Sequence, residues 1–195
     1  MLPEVLKYRC MKNEEYSYPY RFIHHLNTIN RHRYEVMKNC FACGLYGQGL
    51  THDLSKYSPS EFWVSVKYFM GWCSPYMKEK QIKGYSLGWL HHKGHNRHHW
   101  EFWYDMIDGR WVPIKMPYRY LVEMVCDRVA ASKVYQKDKY TKESALNYFL
   151  SRNDKEYMHP DTARELEKIL RHIAVHGEAE TFAILKRNLK NNYTE

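Results

Sequence analysis

The sequence predicts an all-α fold, and three observations carry that expectation. Apolar residues recur at three- and four-residue steps over most of the chain. A serine–proline start and several terminal glycines punctuate those runs where helices should begin and end. No stretch shows the apolar–polar alternation of a half-buried strand.

The first helix is expected over residues 28–43, where Ile29, Val36, Cys40 and Cys43 make the apolar stripe and Gly44 follows as a stop signal. His32 lies on that stripe one turn before Val36 and should point inward. Ser58, Pro59 and Glu61 next supply an N-cap serine, a proline at the first helical position and a glutamate three residues after the cap. Glu61 therefore reads as a capping-box residue rather than a catalytic acid. This helix runs through Phe62, Val66 and Phe69 to Gly71, with residues 51–57 at the junction before it. Residues 86–92 read as a short helix, broken over 94–97 and resumed over 98–106 with Trp100 and Trp103 at helical spacing. A loop over 109–117 leads into a strongly helical segment, 118–135. There Leu121, Val125, Arg128 and Ser132 share one side, and Tyr120, Met124, Asp127, Ala131 and Val134 form a second stripe. An aspartate inside such a stripe must face the surface or be buried with a partner. Thr162 and Glu165 read as a cap for a helix carrying Leu166, Ile169, Leu170 and Ile173 up to Gly177; a last amphipathic helix carries Phe182, Leu185 and Leu189.

Composition bounds the function. At 195 residues, with 44% hydrophobic and 27% charged, the chain is expected to fold as one domain, or one domain with a small appendage, around an ordinary core. Its apolar runs are too short for a transmembrane helix, and the N-terminal residues lack the apolar stretch and cleavage site of a secretory signal, so a cytoplasmic location is expected. The five cysteines are odd in number and scattered, and the lone Cys40-x-x-Cys43 pair has no second pair at zinc spacing, so packing is the expected role. A net charge of +8 suits a phosphorylated or nucleic-acid partner, and equally a solvated basic surface.

Twelve histidines stand out, five of them between His91 and His99. That run is interleaved with Trp89, Leu90, Trp100 and Trp103, which favour burial, so a metal- or phosphate-binding role fits it better than a surface tract. A divalent transition ion needs several neutral imidazoles and carboxylates converging on one point. The chain offers such groups on separate helices: His32, the adjacent His52 and Asp53, the histidine cluster, and Asp127. Taken singly, His32 also reads as a satisfied core histidine, and Asp127 as a cap or an arginine partner.

In order along the chain, His32, His52-Asp53, a histidine of the cluster and Asp127 resemble the HD-domain superfamily of metal-dependent phosphohydrolases. The run from His52 to Lys56 looks like the HDxxK form of that motif, and His98-His99-Trp100-Glu101 is similar to the paired-histidine segment of its multi-metal branch. The strings HDLSKYSPSEF, WLHHKGHNRHHWEFW and MPYRYLVEMVCDRVAASK look like a small domain-of-unknown-function family with an HD-like core, over roughly residues 22–135. The resemblance implies an HD-like helical bundle over 22–140, after an N-terminal arm (1–21) and before a helical extension packed on it (141–195). It implies one or two divalent transition ions (Mn, Fe, Zn or Ni) held by His32, His52, Asp53, His92, His98, His99 and Asp127. His25, seven residues before His32, is the alternative first ligand or its supporting partner, and the choice of ligands within 91–99 stays open.

The function so implied is hydrolysis of a nucleotide or other small phosphoester by a metal-activated water. Lys56 and Arg97, with Lys93, would steady the phosphoryl oxygens, His95 would protonate the leaving group, and Asn96 and Glu101 would orient ligand imidazoles. Two other readings use the same residues differently. One is an HD-type diiron oxygenase, which needs the same donors. The other is a non-catalytic nucleic-acid binder using Arg31, Arg33, Arg97, Arg110 and Arg119 among aromatic residues.

Overall fold

The computed structural model describes residues 16–191, and the fold is all-α. Most of the expected N-terminal arm, and Cys10, lie outside the described residues. Nine α-helices are found among the described residues: α1 Tyr18–Cys43, α2 Tyr46–Thr51, α3 Pro59–Lys67, α4 Pro75–Lys83, α5 Leu87–His95, α6 Tyr118–Gln136, α7 Ser144–Leu150, α8 Pro160–His176 and α9 Glu178–Asn191. Short 3-10 turns separate some of them. α1 begins ten residues before the expected start at residue 28, with Pro19 in its first turn, where a missing backbone N–H costs nothing.

A two-stranded antiparallel hairpin, β1 Tyr104–Ile107 and β2 Arg110–Pro113, corrects the expectation of a helix over 98–106 followed by a loop. Its turn is Asp108-Gly109, with φ of 50° and 73° at the two residues. Positive φ at both central positions is what a type I′ turn requires, and Asp-Gly is among its favoured sequences. Four-residue strands that are mostly exposed have no buried face to write an alternation into the sequence.

The described chain divides into two compact units, one of residues 16–29 and 55–92, the other of residues 30–54 and 93–191. In the first, Phe22, Leu26 and Ile29 of α1 pack on Phe62 and Val66 of α3. α3 and α4 both start at a Ser-Pro step, yet neither Ser58 nor Ser74 makes a side-chain cap. Glu61 is thus not the second half of a capping box; it is turned inward and fully buried. Buried Glu79 of α4 accepts from Ser86 Oγ at 2.6 Å and from Lys83 Nζ at 2.9 Å, while Ser86 Oγ accepts from the Trp89 N–H at 2.9 Å. The start of α5 is anchored by that chain.

The second unit is built around α6. Leu121, Val122, Val125, Cys126, Val129 and Ala130 are all buried, so this helix is covered on most of its circumference. Leu166, Ile169, Leu170 and Ile173 of α8 and Phe182, Leu185 and Leu189 of α9 belong to the same core, as do Phe149 of α7 and Val36, Cys40 and Cys43 of α1. Cys40, Cys43 and Cys126 are free, buried thiols, with Cys43 and Cys126 sulfurs 3.8 Å apart, and burial pushes the Cys126 thiol up. The start of α8 corrects another expectation: its cap is His159, whose Nδ1 accepts from the Asp161 N–H at 3.2 Å. Buried Thr162 instead accepts the Met116 N–H at 3.0 Å and ties the segment before α6 to α8. No helix among the described residues is long and apolar enough to cross a membrane.

α2 leads directly into His52 and Asp53, so its seating on α1 sets their position. A Cβ on Gly49 would stand 3.0 Å from the Cys40 Cβ and 3.1 Å from the Phe41 ring. Gly49→Ala is expected to lower the melting temperature: alanine gains up to about 1 kcal/mol of helix propensity, but overpacking against the Cys40 Cβ and the Phe41 ring costs about 1–3 kcal/mol. An unchanged or higher melting temperature would show that α2 can shift at no cost.

Candidate metal centre

α2 ends at Thr51, and the next two residues carry the first donors. Asp53 has φ of 54°, a left-handed conformation that aspartate tolerates better than most residues. Arg33 holds the strained segment in place, donating from Nε to the His52 carbonyl at 2.8 Å and from Nη2 to the Leu50 carbonyl at 2.9 Å. An arginine that the sequence offered to nucleic acid is thus tied into backbone. α1 contributes His32, and α6 contributes Glu123 and Asp127, one turn apart. The buried Asn39 amide donates to the Cys126 carbonyl at 3.1 Å, joining α1 to α6 beside Asp127. His98 comes from the segment after α5.

Within the second unit these side chains meet. His32, His52, Asp53 and Asp127 each bring one ligand atom within 4.8 Å of the others, and His52, His98 and Glu123 do the same. His32 Nε2 lies 2.9 Å from Asp127 Oδ1 and 3.7 Å from Asp53 Oδ2; His52 Nε2 lies 3.3 Å from Asp53 Oδ2 and 3.7 Å from Asp127 Oδ1. Yet the buried Nε2 atoms of His32 and His52 make no aligned hydrogen bond. Close approach without alignment is what donors around a common cation show. Atoms bound at about 2.1 Å to one ion stand about 3.0 Å apart at right angles and about 3.4 Å apart at tetrahedral angles.

The two oxygens of Asp53 face different partners. Oδ2 faces His32 and His52, and Oδ1 lies 3.4 Å from His98 Nε2. Glu123 Oε1 approaches the other ring nitrogens, 2.9 Å from His52 Nδ1 and 3.2 Å from His98 Nδ1. Carboxylate on Nδ1 fixes each ring with Nε2 towards Asp53, the arrangement that orients ligating histidines. Gln48 in turn donates to Glu123 Oε2 at 2.6 Å and accepts from Arg119 Nε at 3.1 Å, so the carboxylate is itself held.

The charges are consistent with a cation site. Burial pulls the His52 imidazole down, but Asp53, Asp127 and Glu123 together raise it well above the ordinary histidine range. Burial would raise the two α6 acids; the facing imidazoles outweigh it, holding Glu123 at about 2 and Asp127 well below the usual carboxylate range. Buried histidine and carboxylate groups that can hold a metal ion are therefore present, with no thiolate among them.

Of the residues singled out from sequence, His32, His52, Asp53, His98, His99 and Asp127 come together here, Asp53, His98 and His99 each bringing one ligand atom within 4.8 Å of the others. His99 is half-buried and its ring packs on that of His98 with centroids 4.2 Å apart. Asn96 is buried, and its carbonyl accepts the His99 N–H. His95 is exposed. Arg97 is exposed, lies over the Phe102 and Tyr120 rings and donates to the Tyr120 hydroxyl at 3.2 Å. Burial raises the Glu101 carboxyl, with Arg128 and Lys93 acting against it.

The remaining three lie in the first unit. His25 packs among Phe62 and Phe69, and burial followed by the charge of Lys56 lowers it to about 4, so its imidazole is neutral at pH 7. His92 is buried with Nδ1 2.8 Å from Glu61 Oε2; His91 Nδ1 is 2.7 Å from Glu61 Oε1, and the Tyr76 hydroxyl donates to Oε2 at 2.9 Å. Burial would raise the Glu61 carboxyl, but the bonds from His92, Ser55 and His91 hold it at about 2. Glu61 and Glu123 are the two acids whose roles the sequence reading missed.

Fold and donors together define the class: an all-α protein with a buried histidine–carboxylate centre able to hold a metal ion. The chain matches the model of a family of unknown function, DUF5662, over residues 21–172, and it belongs to that family. No curated protein and no solved structure matches it.

Proposed function

We propose that this protein is a metal-dependent phosphohydrolase of the HD type, acting on a nucleotide or another small phosphoester. The observation that carries the reading is the convergence of His32, His52, Asp53 and Asp127 with two buried imidazole nitrogens turned into the same point. Nitrogen and oxygen donors suit manganese, iron, zinc or nickel. The opposed aim of the two Asp53 oxygens would suit one or two ions, which His32, His52, Asp53, His98 and Asp127 would hold. A bound divalent ion supplies Lewis acidity and a coordinated water that ionises near neutral pH.

The protein's own residues do the rest. Glu123 keeps both His52 and His98 in the tautomer that presents Nε2, so the donors need no reorganisation. Arg33 keeps the left-handed Asp53 from relaxing. Arg97 and His95 lie one and three residues before His98 on the chain and are both exposed, supplying a guanidinium for phosphoryl oxygens and an imidazole for the leaving group.

The test is elemental analysis of protein purified without chelator, followed by assay of phosphate release from a nucleotide panel. Near-stoichiometric manganese, zinc, nickel or iron and chelator-sensitive hydrolysis are expected. Absence of metal after reconstitution, or hydrolysis indifferent to chelator, would overturn the proposal. Bound iron with oxygen-dependent near-ultraviolet absorption and no hydrolysis would assign the same donors to a diiron oxygenase. Oligonucleotide binding that is salt-dependent and indifferent to chelator, again without hydrolysis, would favour the nucleic-acid reading.

A further inference from the structure

The end of α8 carries a second set of ligand groups that shares no residue with the buried centre. His172 and His176 are one helical turn apart, with rings stacked at a centroid distance of 4.3 Å and an interplanar angle of 24°. Gly177 (φ of 84°) turns the chain into α9, whose first turn contains Glu180. One donor atom from each of His172, His176 and Glu180 lies within 4.8 Å of the other two, and His176 Nδ1 is 3.3 Å from Glu180 Oε1.

A buried hydroxyl sets the state of the inner histidine. Thr181 Oγ1 donates its proton to the Gly177 carbonyl at 2.7 Å. A hydroxyl has one proton, so towards His172 Nδ1, at 2.8 Å, the same oxygen can only accept. His172 therefore carries hydrogen on Nδ1. In the neutral ring this leaves the lone pair on Nε2. Thr181 is 2% exposed, so the relay sits on a fixed part of the structure, while His176 and Glu180 are open to solvent. A ligating histidine commonly donates its other ring N–H to such a partner.

We propose that His172, His176 and Glu180 form a surface site for a borderline divalent ion, zinc, nickel or copper, that braces α8 to α9. Two imidazoles and one carboxylate disfavour calcium and magnesium, which take oxygen ligands, and three protein ligands leave coordination positions for water. The ion bridges groups on either side of the Gly177 turn, so its binding stabilises the folded C-terminal pair by mass action. The proposal is independent of the phosphohydrolase reading.

Zinc titration of chelator-stripped full-length protein by calorimetry tests it, comparing wild type with His176→Ala, Thr181→Val and Asp53→Ala. His176 is exposed, so its replacement leaves the core intact. His176→Ala is expected to take up one zinc equivalent fewer than wild type, and Asp53→Ala to retain that equivalent. Thr181→Val should keep the stoichiometry with affinity about 10–100-fold weaker. Equal zinc uptake by wild type and His176→Ala overturns the site, whatever Asp53→Ala does.

Discussion

Asp53→Asn is expected to leave a folded protein that has lost its metal. Asparagine tolerates the left-handed conformation that Asp53 adopts, at φ of 54°, so the backbone between His52 and the following 3-10 turn keeps its path. What is lost is charge and one oxygen, and Asp53 uses both oxygens, one towards His32 and His52 and the other towards His98. Altering groups that merely orient ligands costs about 10–100-fold in metal affinity, so removing a ligand should exceed about 100-fold, with hydrolysis falling in step. Asp53→Ala adds backbone strain of about 1–3 kcal/mol, and the pair separates strain from coordination. Metal content by elemental analysis and helicity by circular dichroism are the measurements. A folded Asn variant with full stoichiometric metal removes the centre as drawn.

How much of this was legible depends on what each residue does to a pattern. Helices α6, α8 and α9 follow from apolar spacing because one face or more of each is buried in a common core. α2 escaped notice because Gly47 and Gly49 lower its helix propensity, and the contact against Cys40 that requires Gly49 is invisible in one dimension. The hairpin escaped because its strands bury too little.

The donors divide along the same line. His32 and Asp127 announce themselves as polar residues within apolar stripes, and His52-Asp53 and His98 through the motifs that carry the family resemblance. Glu61 reads as a cap because Ser-Pro-x-Glu before an apolar run is also how a capping box is spelled; only its contacts with His91, His92 and Tyr76 separate the two. Glu123 sits between buried Val122 and Met124, on a helix apolar around most of its surface, and no single stripe flags it. The available signal was its spacing: an acid one turn before Asp127, too costly to bury without partners.

Glu123→Gln tests that role through both metal and pH. The amide cannot accept from two Nδ1–H groups with one charged oxygen, so zinc or manganese affinity is expected to fall about 10–100-fold. The acid limb follows from the lowered carboxyls. Glu123 and Glu61 stand at about 2 against ordinary values of 4.5, so their stabilisation is complete above pH 4.5 and is lost as pH falls towards 2. Each contributes up to about 3 kcal/mol. His52 works in the opposite sense. Its raised value gives stability that is complete below 6.5 and lost as pH rises through the folded value. His25, lowered to about 4, adds to the acid limb, because its contribution is complete above 6.5 and is lost as pH falls towards 4. Metal-free protein should therefore be most stable near pH 6.5, with weaker folds on either side. Loading the centre should remove the alkaline decline, because an ion then supplies the positive charge that the His52 proton supplied among three carboxylates. Urea unfolding across pH 2–8, with and without metal, reads both limbs. Glu123→Gln should flatten the acid limb and leave the Glu61 contribution standing; an unchanged acid limb together with unchanged metal affinity would show that Glu123 orients nothing.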